Sequence, residues 1–372
     1  AVLKPLAVAQ LGSGFATHAA LAGDVLAVAT TSGAGPGTGP RTGLVDVYRL
    51  GVSGTPKFLT TIQSHTAIRF VSLVGARLYV ADAVGVSAYQ LDVKKGTATF
   101  GWKYALEGMD QVTGVIPSTL LLRSATTMQL ARDVGNACIP DKRWKMSSRL
   151  LVGASVPDRC FVLGGGGLCQ LYNIMPDRRI EFLADVPLFG KVRWLEPRGA
   201  MQALVLDADA GLRLYNTKAF ARTRRDQDAQ LVPRSLSAPG VKAQFVLDEL
   251  PVKDGTSFRV FGERVFVLHG AGQLGVTQIE AKTARFSPLL PVKDVGPVTE
   301  IAGDAKRQVA VGRDGSVTLL AEGKLVAKLP TRETGPMLAM QGQIFVADGP
   351  SLMSVVAGAL AKEVYRGEEA IE

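Results

Sequence analysis

Eight short apolar runs recur along the chain, each stopping at Gly, Asp, Ser or another polar residue. They are Val25–Val28, Leu78–Asp82, Leu120–Leu122, Cys160–Leu163, Ala203–Leu206, Val265–Leu268, Val309–Val311 and Ile344–Asp348. They are rich in β-branched residues and too short for helices, so they predict buried strands. Each has company. An apolar strand precedes it, as in Phe70-Val71-Ser72-Leu73-Val74. A tight turn and a strand with an aromatic or aliphatic pair follow, as in Gly85-Val86-Ser87-Ala88-Tyr89-Gln90-Leu91 and Gly211-Leu212-Arg213-Leu214-Tyr215. A fourth strand usually closes the group, as in Thr99-Phe100-Gly101-Trp102-Lys103-Tyr104 and Leu325-Val326-Ala327-Lys328-Leu329.

From Val28 to Val346 the runs recur about every 45 residues, the spacing of propeller blades. Four strands joined by hairpins bury their apolar faces only against neighbouring units, so several must assemble. The expected fold is all-β: a single β-propeller domain over residues 1–372, with eight four-stranded blades or, because residues 108–150 are the least regular, seven. Two insertions interrupt the period: the Gly/Pro-rich segment 30–43 and the polar segment 222–240. Such loops are where a propeller carries its particular function.

The unit at residues 43–63, GLVDVYRLGVSGTPKFLTTIQ, resembles the LVIVD-type repeat of bacterial surface propellers. The unit at residues 78–104 resembles the PQQ-like repeat, with Tyr89, Leu91, Asp92, Gly96 and Trp102 at the pattern positions. Eight blades in this length are also similar to the outer-membrane assembly lipoprotein that uses PQQ-like blades without binding the quinone. That family is anchored through an N-terminal Cys, whereas this chain begins with Ala. The Gly-His and Trp-Asp signatures of WD40 repeats are absent. These resemblances imply the propeller fold and leave activity open.

The 372 residues are 47% hydrophobic and 20% charged, the composition of a well-cored folded protein. No apolar run reaches the ~18 residues of a membrane helix. The formal net charge is +9, which favours acidic partners. Aromatics at 6% are too few to interleave with basic residues for RNA binding. A start at Ala is what signal cleavage would leave, and a periplasmic or extracellular bacterial location is expected; an organellar one is the alternative.

Candidate chemistry is sparse. In RCFVLGGGGLCQLYNI, residues 159–174, a strand rather than a helix follows the four glycines, so the segment predicts a hairpin and not a phosphate loop. A Gly164-Gly165 turn sets Cys160 directly opposite Cys169; a turn centred one residue later makes them diagonal neighbours. Either allows a disulfide or two buried thiols, with Cys138 left over. Asp207-Ala208-Asp209-Ala210-Gly211 resembles the start of a calcium loop, yet the twelfth position is Lys218 and the segment sits where other units have hairpins. The three histidines, His18, His65 and His269, lack metal-ligand spacing to a cysteine and read as turn or packing residues. Neither a metal nor a cofactor is expected. The leading expectation is a non-enzymatic platform for a protein partner, with Arg222, Arg224 and Arg225 as docking cations. The alternative is a lactonase-like or quinone-dependent propeller enzyme with its site at the channel mouth.

Overall fold

A computed structural model describes residues 7–10, 15–31, 43–51, 56–116, 118–124, 127–145, 152–156, 159–163, 168–174, 180–187, 192–198, 202–216, 245–293, 295–303, 308–312, 315–321, 324–331, 334–340, 343–348 and 351–356. They fall into two compact units. The first comprises Ala1–Ala125, Gln129–Arg143 and Thr299–Glu372; the second, Thr126–Met128 and Trp144–Val298.

In the first unit, β1 (Ala7–Gln10) stands apart from the strands that follow it. Next come β2 (Phe15–Ala22), β3 (Val25–Thr31), β4 (Gly43–Leu50) and β5 (Pro56–Ser64), which form one sheet in sequence order. β6 (Ile68–Val74), β7 (Arg77–Asp82), β8 (Gly85–Asp92) and β9 (Thr97–Ala105) form the next. A further sheet is β10 (Met109–Ile116), β11 (Thr119–Ser124), β12 (Thr127–Asp133) and β13 (Cys138–Lys145). The described residues within the stretch expected to be least regular therefore supply a four-stranded sheet, with two register shifts in β10.

The second unit holds the sheet β14 (Val152–Val156), β15 (Arg159–Leu163), β16 (Leu168–Ile174) and β17 (Ile180–Pro187). After it come β18 (Val192–Arg198), β19 (Gln202–Asp207), β20 (Gly211–Asn216) and β21 (Val246–Leu250). A five-stranded sheet follows: β22 (Gly255–Phe261), β23 (Arg264–His269), β24 (Gln273–Glu280), β25 (Arg285–Phe286) and β26 (Leu290–Pro291). The last two are short, and both pair with β24. The chain then returns to the first unit with β27 (Val298–Gly303), β28 (Gln308–Gly312), β29 (Ser316–Ala321) and β30 (Lys324–Pro330). It ends with β31 (Thr334–Met340), β32 (Gln343–Asp348) and β33 (Ser351–Val356). β1 supplies the fourth strand of this last sheet by pairing antiparallel with β33, from Ala7 opposite Ser354 to Gln10 opposite Ser351.

All eight apolar runs are the second strands of their sheets. A second strand is flanked on both edges, and where neighbouring sheets cover both faces it tolerates no polar alternation. In β3 the stretch Val25–Ala29 is wholly buried, as are Leu78–Ala81 in β7 and Val265–Leu268 in β23. Fourth strands such as β5 and β9 are mostly exposed or half-buried.

The apolar faces stack. Val45, Val47 and Ile62 of the β2–β5 sheet pack with Ile68, Val71 and Val80 of the β6–β9 sheet. The other face of that second sheet, with Ala81, Val86, Ala88 and Trp102, packs on Met109, Val112, Leu120 and Leu122. Within the second unit, Leu204, Leu206 and Leu212 pack on Phe258, Val265 and Val267. Burial of roughly 1.5–3 kcal/mol per large apolar side chain makes these stacked faces the dominant stabilising element.

Candidate interaction face and the polar clusters behind it

Asp133, at the end of β12, is the most heavily used carboxylate among the described residues. It accepts from Arg77 Nε at 2.7 Å and Arg77 Nη2 at 3.1 Å, both from β7. Tyr79 Oη donates at 2.8 Å, Trp102 Nε1 at 2.8 Å, and the Gly135 amide at 2.8 Å. Tyr79 and Trp102 are almost fully buried, so the cluster pins the β6–β9 sheet to the β10–β13 sheet inside an apolar interface. Burial alone would raise the Asp133 carboxyl. Donation from Arg77, Trp102, Gly135 and Tyr79 outweighs it and holds the group below the ordinary carboxylate value. Burial, and then the Asp133 carboxylate, push the Tyr79 phenol up against the opposing Arg77 charge.

A second cluster lies in the other unit. Glu196 on β18 accepts from Trp194 Nε1 at 3.0 Å, Arg259 Nη1 at 2.9 Å and the Val260 amide at 3.2 Å. The Arg259 guanidinium lies over the Trp194 ring, 4.6 Å from its centroid. β22 carries Arg259 and Val260, so this carboxylate also joins neighbouring sheets.

The Asp207 segment is a hairpin, with Asp207 opposite Gly211. Asp207 Oδ1 accepts from the amides of Asp209 (2.9 Å) and Ala210 (2.7 Å), and Oδ2 lies 3.6 Å from Arg213 Nη1. Gly211 has φ +94°, and a Cβ there would overlap the Val252 amide and the Leu250 carbonyl. The aspartate and glycine are thus accounted for by turn geometry. Asp82 makes the same turn, accepting from the Val84 and Gly85 amides at 2.9 Å each, and Lys103 Nζ lies 3.4 Å away. The positions that resemble a PQQ-like unit also take turn and core roles. Leu91 and Trp102 are buried, Asp92 caps the turn through the Lys94 and Lys95 amides, and Gly96 has φ +68°.

First strands repeat one irregularity. Their pairing shifts between Ala16 and His18, Ile68 and Phe70, Met109 and Gln111, Val192 and Trp194, and Gly255 and Ser257. The residue set off by the bulge is Thr17, Arg69, Asp110, Arg193 or Thr256. Sequence reading missed Arg69 and Arg193. The available signal was an Arg between an apolar residue and an aromatic, Ile68-Arg69-Phe70 and Val192-Arg193-Trp194, at the start of a strand.

Of the residues singled out in the sequence, Arg222, Arg224 and Arg225 lie outside the described residues, as do segment 222–240 and most of segment 30–43. The expected Cys160–Cys169 register is corrected: Cys160 faces Tyr172 and Cys169 faces Leu163, so the two are neither opposite nor diagonal. The two sulfurs lie outside the described residues. Cys138 is a free, half-buried thiol that burial pushes up to about 12. His18 packs against Phe70, with ring centroids 5.3 Å apart, and burial lowers its pKa. His269 ends β23, and His65 lies in the turn between β5 and β6.

Among the described residues no helix is long and apolar enough to cross a membrane. No family model and no curated relative matches the sequence. Solved structures do match. A computationally designed protein, Ika8, is 10% identical over 95% of this chain and 99% of its own, with a TM-score of 0.68. Sqt1 from Chaetomium thermophilum, a WD40 propeller, is 11% identical over 96% of this chain and all of its own, with a TM-score of 0.67. BamB from Moraxella catarrhalis, a PQQ-like propeller, is 11% identical over 95% and 99%, with a TM-score of 0.60. At such identities the likeness speaks for fold alone. Together with the four-stranded antiparallel sheets, it establishes that the chain has the β-propeller fold.

Proposed function

We propose that this chain is a non-enzymatic, rigid interaction platform or accessory subunit, built as a single eight-bladed propeller domain and working in a larger cell-envelope or extracellular assembly. The observation that carries this reading is the Asp133 cluster. A buried carboxylate takes donors from two neighbouring sheets and is used as a structural pin, which suits a surface that must hold its shape while a partner docks. The net charge of +9 favours a partner with acidic surface. Arg222, Arg224 and Arg225 belong to this proposal as docking cations on the polar insertion, and the LVIVD-type and PQQ-like resemblances as the kind of blade.

The test is mild cross-linking in the native source, then affinity capture and mass spectrometry. One recurrent stoichiometric protein supports the platform. A clean monomer that co-purifies with a metal or a quinone points to an enzyme instead. Charge reversal at Arg222, Arg224 and Arg225 should weaken capture of that partner; unchanged capture removes those three from the docking face.

A further inference from the structure

We infer that Arg69 and Arg193 are equivalent carboxylate-reading positions, and that what they take is an acidic segment of a polypeptide. This deepens the platform reading and rests on it.

A β-bulge adds one residue to a strand and re-aims its side chain away from the sheet's alternation. The same bulge at the start of five first strands makes one position of a repeat unit available for side chains that the core does not use. At four of the five positions two solutions occupy it; the fifth residue, Asp110, has its side chain outside the described residues. Thr17 and Thr256 turn back on their own sheet, where their hydroxyls donate to the Ala29 carbonyl at 3.4 Å and the Leu268 carbonyl at 3.2 Å. Arg69 and Arg193 reach forward instead. Arg69 Nη1 donates to the Met109 carbonyl at 3.1 Å, and Arg193 Nη1 to the Gly255 carbonyl at 2.8 Å. In both cases the acceptor is the first residue of the next sheet's first strand.

A guanidinium has five N–H donors, and this contact uses one. Both arginines are exposed, and neither forms an ion pair among the described residues. The nearest carboxylate in register is already occupied at each site. Ile68 is opposite Asp82, and Asp82 is held by the Val84 and Gly85 amides and Lys103. Val192 is opposite Asp207, whose Oδ1 takes the Asp209 and Ala210 amides and whose buried Oδ2 lies 3.6 Å from Arg213 Nη1, an ion pair without a hydrogen bond. Each unit therefore presents an arginine tethered to backbone, outside any ion pair among the described residues, with further donors left for a bidentate acceptor. Tethering lowers the ordering cost of binding. Each arginine stands singly between apolar and aromatic neighbours, not in a basic run. That pattern suits a glutamate or aspartate side chain of a peptide at each site better than a continuous phosphate backbone.

The probe is a fluorescein-labelled poly-glutamate peptide, read by anisotropy at low and physiological salt. The natural protein should bind it, more weakly as salt rises. Arg69→Gln and Arg193→Gln retain an N–H for the tethering carbonyl and remove the charge. Each should weaken binding at its own site about 5- to 10-fold, and the double variant should bind least. Thr17→Ala and Thr256→Ala should bind as the natural protein does. Melting curves of the Gln variants should superimpose on the natural one. The inference is overturned by a natural protein that ignores poly-glutamate, or by a double Gln variant that binds it unchanged. Tighter binding of labelled RNA or of anionic vesicles would overturn the partner class. If only charge reversal at Arg222, Arg224 and Arg225 abolishes binding, this inference fails while the acidic-partner reading stands.

Discussion

The two carboxylate clusters look alike on paper: an acid, an arginine and an indole N–H joining neighbouring sheets. Their surroundings differ. The Asp133 and Arg77 side chains are 5% and 13% exposed, whereas Glu196 and Arg259 are 21% and 39% exposed. Asp133 also gains a phenol from Tyr79, and its arginine is bidentate. The lesson is that the same residue types act as a buried lock in one place and as a solvent-screened brace in another. Dielectric surroundings and the extra donors together set the difference.

The sharpest way to break this comparison is Asp133→Ala. It leaves the Arg77 charge and the Tyr79 and Trp102 donors buried without their acceptor, and should cost about 3–5 kcal/mol in denaturant unfolding. A cost below that of Glu196→Ala would reverse the ranking. Glu196→Ala should cost only about 1 kcal/mol, because Arg259 keeps access to water and to the Trp194 face. Salt sharpens the contrast. In double-mutant cycles the Glu196–Arg259 coupling should shrink at 1 M salt, while that of Asp133–Arg77 should persist.

Acid gives a further test. The Asp133 pKa is lower folded than unfolded, so its contribution is fully present above the ordinary value of 3.8 and is lost as pH falls through the folded value. Asp133→Asn should flatten the acid limb of stability against pH. His18 is also depressed, here by burial, so it opposes folding only once pH drops below its ordinary 6.5. His18→Phe should remove the loss that sets in as pH falls below 6.5. The smallest effect belongs to Phe100, which is 56% exposed and leans edge-on against Tyr89. Phe100→Ser should change stability by less than about 1 kcal/mol, a value a melting curve resolves.

Much of the repeat was legible because a strand flanked on both edges and covered on both faces must be apolar at nearly every position. That is why the runs at Val25, Leu78, Ala203 and Val265 stand out. The β10–β13 sheet was less visible: β12, Thr127–Asp133, mixes polar and apolar residues, and β10 carries two register shifts. The Asp133 cluster was illegible because Arg77 and Asp133 are 56 residues apart. Trp102 was noticed for a packing pattern, and its indole N–H found its acceptor only through folding. Arg69 and Arg193 could be seen as residues, but not as bulges, since a bulge is a relation between two strands.

Alternation, turn residues and a recurrence of about 45 residues therefore determined the all-β class, the second strand of each sheet and the hairpins at Asp82 and Asp207. Those are local consequences of side-chain size and backbone freedom. Only the tertiary structure decided that β1 completes the sheet of β31–β33, that Cys160 faces Tyr172, and which carboxylates lock sheets together. These depend on register and on contacts between distant segments, where one residue's shift changes every partner.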